Sequence, residues 1–158
     1  MLPLNAERAP GRLAALAAGY AANPARWPVR PQFDAAERWY RRVAVAPDHE
    51  AWLLTWLPGQ GTDLHDHGGA SGAFHVITGV LTEQTPRYAA PAGLATRRYR
   101  SGATRRFGVR HIHRVVNDAP VPAVSLHVYA PALLAMTRYR LDGGRLRPLR
   151  VERAGADW

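Results

Sequence analysis

Two histidines, His65 and His67, flank Asp66 in the stretch LPGQGTDLHDHGGASGAF, residues 57–74. On an extended strand the side chains alternate faces, and residues two apart lie about 6.6 Å from each other. Both imidazoles can therefore reach one ion. Asp66 points away, free to orient a ligand or cap a turn. A second triplet obeys the same rule: Ser125, His127 and Tyr129 in SLHVY share one strand face. A hydroxyl, an imidazole and a phenol in line can form a hydrogen-bonded relay. The phenol, with an ordinary pKa of about 10, could donate to a bound oxygen species. His127 would orient it, and Ser125 would set the imidazole tautomer.

Such side chains need a rigid frame. Residues 11–22, GRLAALAAGYAA, carry leucine and alanine at helical spacing and stop before Asn-Pro, so a short helix is expected there. From Asp34, DAAERWYRR could open as a further helical turn, with strand character from Trp39 onward. Beyond it, β-prone runs alternate with breaks at Pro-Asp, Pro-Gly, Gly-Gly, Asn-Asp and Asp-Gly. The runs are RRVAVA, AWLLTWL, GAFHVITGVLTEQTPRY, LATRRYR, TRRFG, HIHRVVN, AVSLHVYAP and MTRYRLD. Many short strands with frequent turns indicate a mainly β sandwich or small barrel behind a helical leader. A chain of 158 residues fits a single domain, divided as a leader over about 1–35, a barrel over 36–145 and a tail over 146–158.

Composition removes several chemistries. The chain has no cysteine, so disulfides, thiolate metal ligands and a cysteine nucleophile are excluded. All 21 basic residues are arginine, which excludes a lysine Schiff base. The net charge of +9 raises nucleic acid as a partner, but the arginines are spread along the chain and no binding motif accompanies them. A GC-rich coding bias, with arginine standing in for lysine on a solvated surface, is the simpler account, and no nucleic-acid partner is expected. No apolar run approaches the roughly 18 residues of a membrane span, and the N-terminus lacks the pattern of a secretory signal. A cytoplasmic protein without a membrane partner is expected, acting as a monomer.

The surroundings of the histidine pair sharpen the reading. Gly59, His65, His67 and Gly79 are spaced in a way that resembles the first motif of the cupin superfamily. In that motif a glutamate follows the second histidine by four or five positions. Ser71 and Gly72 stand there instead. The second motif ends in histidine, three residues, asparagine; here Gly102 leads to His113 and Asn117, with Gly108 and Arg110 where proline and glycine are usual. His111 is the rival to His113, and the step to Asn117 favours His113. Three neutral imidazoles would leave a divalent ion its full charge, whereas two histidines and a carboxylate would halve it. Such a site favours anionic ligands such as a thiolate. Three histidines also suit zinc.

Taken together, WLPGQGTDLHDHG, GVLTE, HRVVN and SLHVYAP resemble the thiol dioxygenases, most closely cysteine dioxygenase of the bacterial type, over about residues 38–140. The resemblance implies a cupin-type, jelly-roll-like small β-barrel and one Fe(II) per chain held by His65, His67 and His113. It implies a catalytic relay of Ser125, His127 and Tyr129. It also implies an arginine that binds the substrate carboxylate: Tyr40 and Arg42 fit that role, with Arg41 the competitor, since neighbouring strand residues face opposite ways. Trp56 is similar to a tryptophan that packs near the active site. The implied partners are L-cysteine and O2, with cysteine sulfinic acid as product. A dioxygenase for 3-mercaptopropionate and a non-catalytic metal-binding cupin are the alternatives; Tyr-Arg-Arg and Tyr-Ala-Pro favour cysteine. Animal members link a cysteine covalently to the relay tyrosine. This chain has Gly72 at that place, as bacterial members commonly do. His75 reads as an ordinary strand residue, His49 as a surface turn, and Glu83 as structural.

Overall fold

The computed structural model describes residues 9–89 and 92–154. Residues 1–8 of the expected leader and 155–158 of the expected tail lie outside the described residues. The elements in chain order are helix α1 (Ala9–Ala21) and strands β1 (Tyr40–Ala46), β2 (His49–Trp56), β3 (Leu64–His65), β4 (Ser71–Thr78), β5 (Val80–Arg87), β6 (Gly93–Arg100), β7 (Thr104–Phe107), β8 (Arg114–Val116), β9 (Ala123–Ala130), β10 (Ala135–Asp142) and β11 (Arg145–Arg153). A short 3-10 turn, Pro24–Arg26, follows the helix.

A five-stranded sheet runs β1-β2-β9-β4-β7. Two three-stranded sheets, β11-β10-β3 and β6-β5-β8, make up the rest, and a backbone bridge between His65 and His113 ties them together. Alternation along β4 and β9 separates two cores. Phe74, Val76 and Tyr129 face inward with Trp56, Leu81, Tyr99, Phe107 and Val115. Ala73, Leu126 and Val128 face outward, where Leu13, Ala17 and Ala21 of α1 cover them. Spacing of four along α1 gives that helix one apolar stripe, and this stripe is why the central strands are buried on both faces. The result is the cupin β-barrel expected from the sequence, with the helix on its outer wall.

Three local readings differ. Residues 35–37 form bends, not a helical turn; the Asp34 carboxylate accepts a bond from the Ala36 amide at 2.8 Å, a local alternative to helix. The expected tail from 146 is instead strand β11. The Asp142-Gly143-Gly144 turn folds it back on β10, with Asp142 paired to Arg145; its exposed, arginine-rich face hides strand character from a hydropathy reading. The long run 72–88 breaks into β4 and β5 at Gly79, whose φ is +80° and where a Cβ would sit 2.6 Å from the Pro122 carbonyl oxygen. Only glycine fits there.

Candidate active site

His65 ends β3, His67 lies two residues on, and His113 immediately precedes β8. The bridge that joins the sheets is made by two of these residues: the His65 amide donates to the His113 carbonyl at 2.9 Å, and the His113 amide donates back at 3.1 Å. The ring centroids of His65, His67 and His113 are then 4.8–5.0 Å apart, with one nitrogen of each within 4.8 Å of the others. All three are buried.

Their hydrogen bonds select the tautomers. His65 Nδ1 donates to the Asp63 carbonyl at 2.9 Å. His113 Nδ1 donates to the Glu83 carboxylate at 2.9 Å. Each ring thus keeps an Nε2 lone pair. His67 is 1% exposed, and neither of its ring nitrogens has a hydrogen-bond partner among the described residues. Two orphaned polar atoms on one buried ring are costly unless a ligand takes one of them. Burial, followed by the neighbouring imidazoles, holds His65 and His67 well below the ordinary histidine pKa. Burial also lowers His113, although Glu83 opposes it. Neutral, lone-pair-bearing and convergent, the three rings fit a divalent metal ion.

Asp66 does not serve a ligand. Its Oδ1 accepts from the Gly68 and Thr137 amides and its Oδ2 from the Tyr139 hydroxyl at 2.8 Å, so it pins this loop to β10. His111 turns toward Glu83, with Nε2 at 2.7 Å. His75 pairs with Thr104. His49 is not a surface turn: it is 6% exposed and sits between Tyr20 of α1 and Asp48. Asn117, the asparagine of the second motif, donates to the carbonyls of Trp56 and Val121 and so clamps the β8–β9 loop to the end of β2.

Gly72 explains the missing carboxylate. It lies opposite Phe107 and Tyr129 in the ladders of β4, and a Cβ there would come within 2.5 Å of the Phe107 ring. Phe107 fills the space and stacks on His67, centroids 4.6 Å apart at 27°. Phe107 also stacks on His111 at 4.9 Å, and Tyr129 packs against His67 at 5.4 Å and against Phe107 at 6.4 Å.

On β9, Ser125 Oγ lies 2.9 Å from His127 Nε2, and His127 Nδ1 lies 3.2 Å from the Tyr129 hydroxyl. Trp56 starts this line, its Nε1 2.9 Å from Ser125 Oγ. An indole N–H only donates, so Ser125, fully buried, accepts from Trp56 and directs its own proton to His127 Nε2. Burial keeps His127 neutral, well below the ordinary histidine range. The remaining ring proton is then on Nδ1 and is donated to Tyr129, whose own proton is left free to point into the cavity. Burial raises the Tyr129 pKa, with Arg38 opposing, so the phenol stays protonated and is a donor.

A cavity of about 320 Å³ opens onto this face, lined by His65, His113, His127, Tyr129, Trp56 and Arg38, with Tyr40 and Arg138 at its wall. Arg42 does not line it. Its guanidinium, 53% exposed, pairs with Glu50 at 3.4 Å and lies over Trp52. Arg41 bonds the Tyr40 carbonyl and also stays outside. Of the arginines at and just before the start of β1, Arg38 is the one that reaches the cavity. The β1–β2 register pairs Tyr40 with Leu54, and the Trp39 carbonyl accepts from Thr55; extending this ladder sets Arg38 opposite Trp56. Its guanidinium carbon sits 4.7 Å from the Trp56 ring centre and 5.4 Å from that of Tyr40. Its buried Nε has no partner among the described residues, and burial lowers its pKa. Arg138 is already engaged by Glu152 through two bonds of 2.9 and 2.7 Å. Strand alternation put residues 38, 40 and 42 on one face; only the register decided which arginine reaches the cavity.

Comparison with known proteins bears on the fold and the family. Among solved structures, the chain is similar to TT1209 from Thermus thermophilus at 20% identity and a TM-score of 0.55, covering 65% of this chain and 90% of that one. It is similar to an uncharacterized conserved protein with a double-stranded beta-helix domain from Klebsiella pneumoniae at 18% identity and 0.55, covering 77% and 90%. It also matches the cupin domain of Cnp3 from Schizosaccharomyces pombe at 10% identity and 0.54, covering 65% and 64%. At these identities the likeness is one of fold. The profile of cysteine dioxygenase type I matches residues 6–141, most of the chain, and the protein belongs to that family, a group of cupin thiol dioxygenases.

Proposed function

We propose that the protein is an Fe(II)-dependent dioxygenase that converts L-cysteine and O2 to cysteine sulfinic acid. Sulfur loses four electrons and O2 gains four. Both oxygen atoms end on sulfur, so no external reductant is required. The reading is carried by one juxtaposition. His67, with two unpartnered ring nitrogens, stacks against Tyr129, the outward end of the hydrogen-bonded line, beside a cavity that also holds Arg38.

His65, His67 and His113 would hold the metal. When bound, Fe(II) acidifies the substrate thiol and brings thiolate and O2 together. Arg38 would take the substrate carboxylate through its guanidinium fork, with Trp56 and Tyr40 fixing the plane of that fork. Tyr129 would donate its free proton to oxygen as negative charge develops there. His127 and Ser125 hold the phenol in direction and do not carry the proton away, because the line ends at an indole N–H that cannot accept one.

Product analysis tests the reading. Fe(II)-loaded protein given L-cysteine under ¹⁸O₂ is expected to yield sulfinate carrying both labelled atoms. Oxygen uptake with 3-mercaptopropionate far exceeding that with cysteine would reassign the substrate. No thiol-dependent uptake at all would favour a non-catalytic metal-binding cupin.

A further inference from the structure

Glu83, on β5, is a buried carboxylate that the relay and the cavity do not use. It is 3% exposed, yet four donors converge on it. Oε1 accepts from His113 Nδ1 at 2.9 Å and His111 Nε2 at 2.7 Å. Oε2 accepts from Arg105 Nε at 2.8 Å and the Tyr99 hydroxyl at 3.2 Å. Burial opposes its ionisation, but the bonds from His111, His113 and Arg105 hold it well below the usual carboxylate range. If this position served packing alone, an apolar side chain of similar size would do as well or better, since a buried ion pair seldom repays its desolvation.

We propose that Glu83 is a positioning residue for the metal centre: it fixes His113 as the Nδ1–H tautomer with Nε2 turned to the ion, and it supplies from behind that ring the negative charge the three neutral histidines lack. The inference rests on the reading of His65, His67 and His113 as a metal site. The usual cupin carboxylate would stand at Ser71 or Gly72; at Gly72 the space belongs to Phe107. The charge therefore moves one hydrogen bond outward, where it raises the basicity of a ligand without occupying a coordination position. That leaves room on the ion for two substrates. Glu83, His111 and His113 also bring ligand atoms together, but a cation there would have to displace the Arg105 guanidinium and two ring N–H groups, so this cluster is not a second site.

The test is an anaerobic Fe(II) titration of metal-free protein by equilibrium dialysis, with bound iron measured directly. Glu83→Gln is expected to weaken Fe(II) binding about 10- to 100-fold. Tyr99→Phe removes another partner of the same carboxylate but leaves the Glu83–His113 bond, and it is expected to bind as the wild type does. Unchanged affinity in Glu83→Gln would overturn the proposal, as would an equal loss in Tyr99→Phe. Should Glu83→Gln fail to fold, ¹⁵N spectra of the metal-free wild type decide: His113 must carry its proton on Nδ1, and an Nε2–H tautomer overturns the inference. A wild type that takes up no Fe(II) would instead remove the underlying metal reading.

Discussion

Trp56 Nε1 lies 2.9 Å from the hydroxyl of Ser125, although the residues are 69 positions apart in the chain. The pairing follows from register, since β2 and β9 run antiparallel, and it gives the line Trp56–Ser125–His127–Tyr129 one direction. Trp56→Phe should keep Fe(II) and slow turnover by about tenfold or less, the scale of one lost neutral hydrogen bond. Tyr129→Phe should also keep Fe(II) but cost roughly 100-fold, because the lost donor acts on developing charge. Wild-type turnover in both variants would remove the line from the mechanism.

Arg38 and Arg42 separate cleanly. Arg38→Gln should lower kcat/KM for cysteine by about 10- to 100-fold through a raised KM, as expected for a lost charge-assisted bond. Arg42→Gln, at a half-exposed pair with Glu50, should leave both constants unchanged. The reverse pattern in steady-state kinetics would return the carboxylate to Arg42.

His67→Ala should abolish stoichiometric Fe(II) binding while the protein stays folded, since in the metal-free chain this ring gains nothing from its unpartnered nitrogens. Near-stoichiometric iron in the purified variant, measured by elemental analysis, would exclude His67 as a ligand.

Acid should destabilise the protein in a defined window. Burial depresses the folded-state pKa of His65, His67, His113 and His127, while in the unfolded chain each returns to about 6.5. Below that value the unfolded state binds more protons, so the stability present above it is lost as pH falls. Thermal denaturation of metal-free protein from pH 8 to 5 should show Tm falling once pH drops below about 6.5. Release of metal from the folded site should begin at lower pH than this onset, because the ligating imidazoles must be neutral and burial holds them neutral well below 6.5. A flat Tm profile would mean these rings titrate as exposed histidines do.

How much of this was legible before folding varies by residue. That His65 and His67 face one way, and that Ser125, His127 and Tyr129 form a line, followed from the two-residue period of a strand, a property carried in the local chain. The α1 stripe, Leu13, Ala17 and Ala21, was legible for the same kind of reason at a period near four. Strand β11 was not, because its outward arginines mask the pattern and only the ladder with β10 orders it. Nor was Arg38 distinguishable from Arg42: both share the Tyr40 face, and how far along that face the cavity opens depends on pairing with β2.

Sequence by itself therefore determined which side chains share a face and which chemistry they could carry, since backbone alternation is decided residue by residue. Tertiary structure alone decided which faces meet. It brought Glu83 behind His113, Trp56 under Ser125 and Phe107 into the space at Gly72, because hydrogen-bond register and close packing join residues whose separation along the chain carries no signal of their contact.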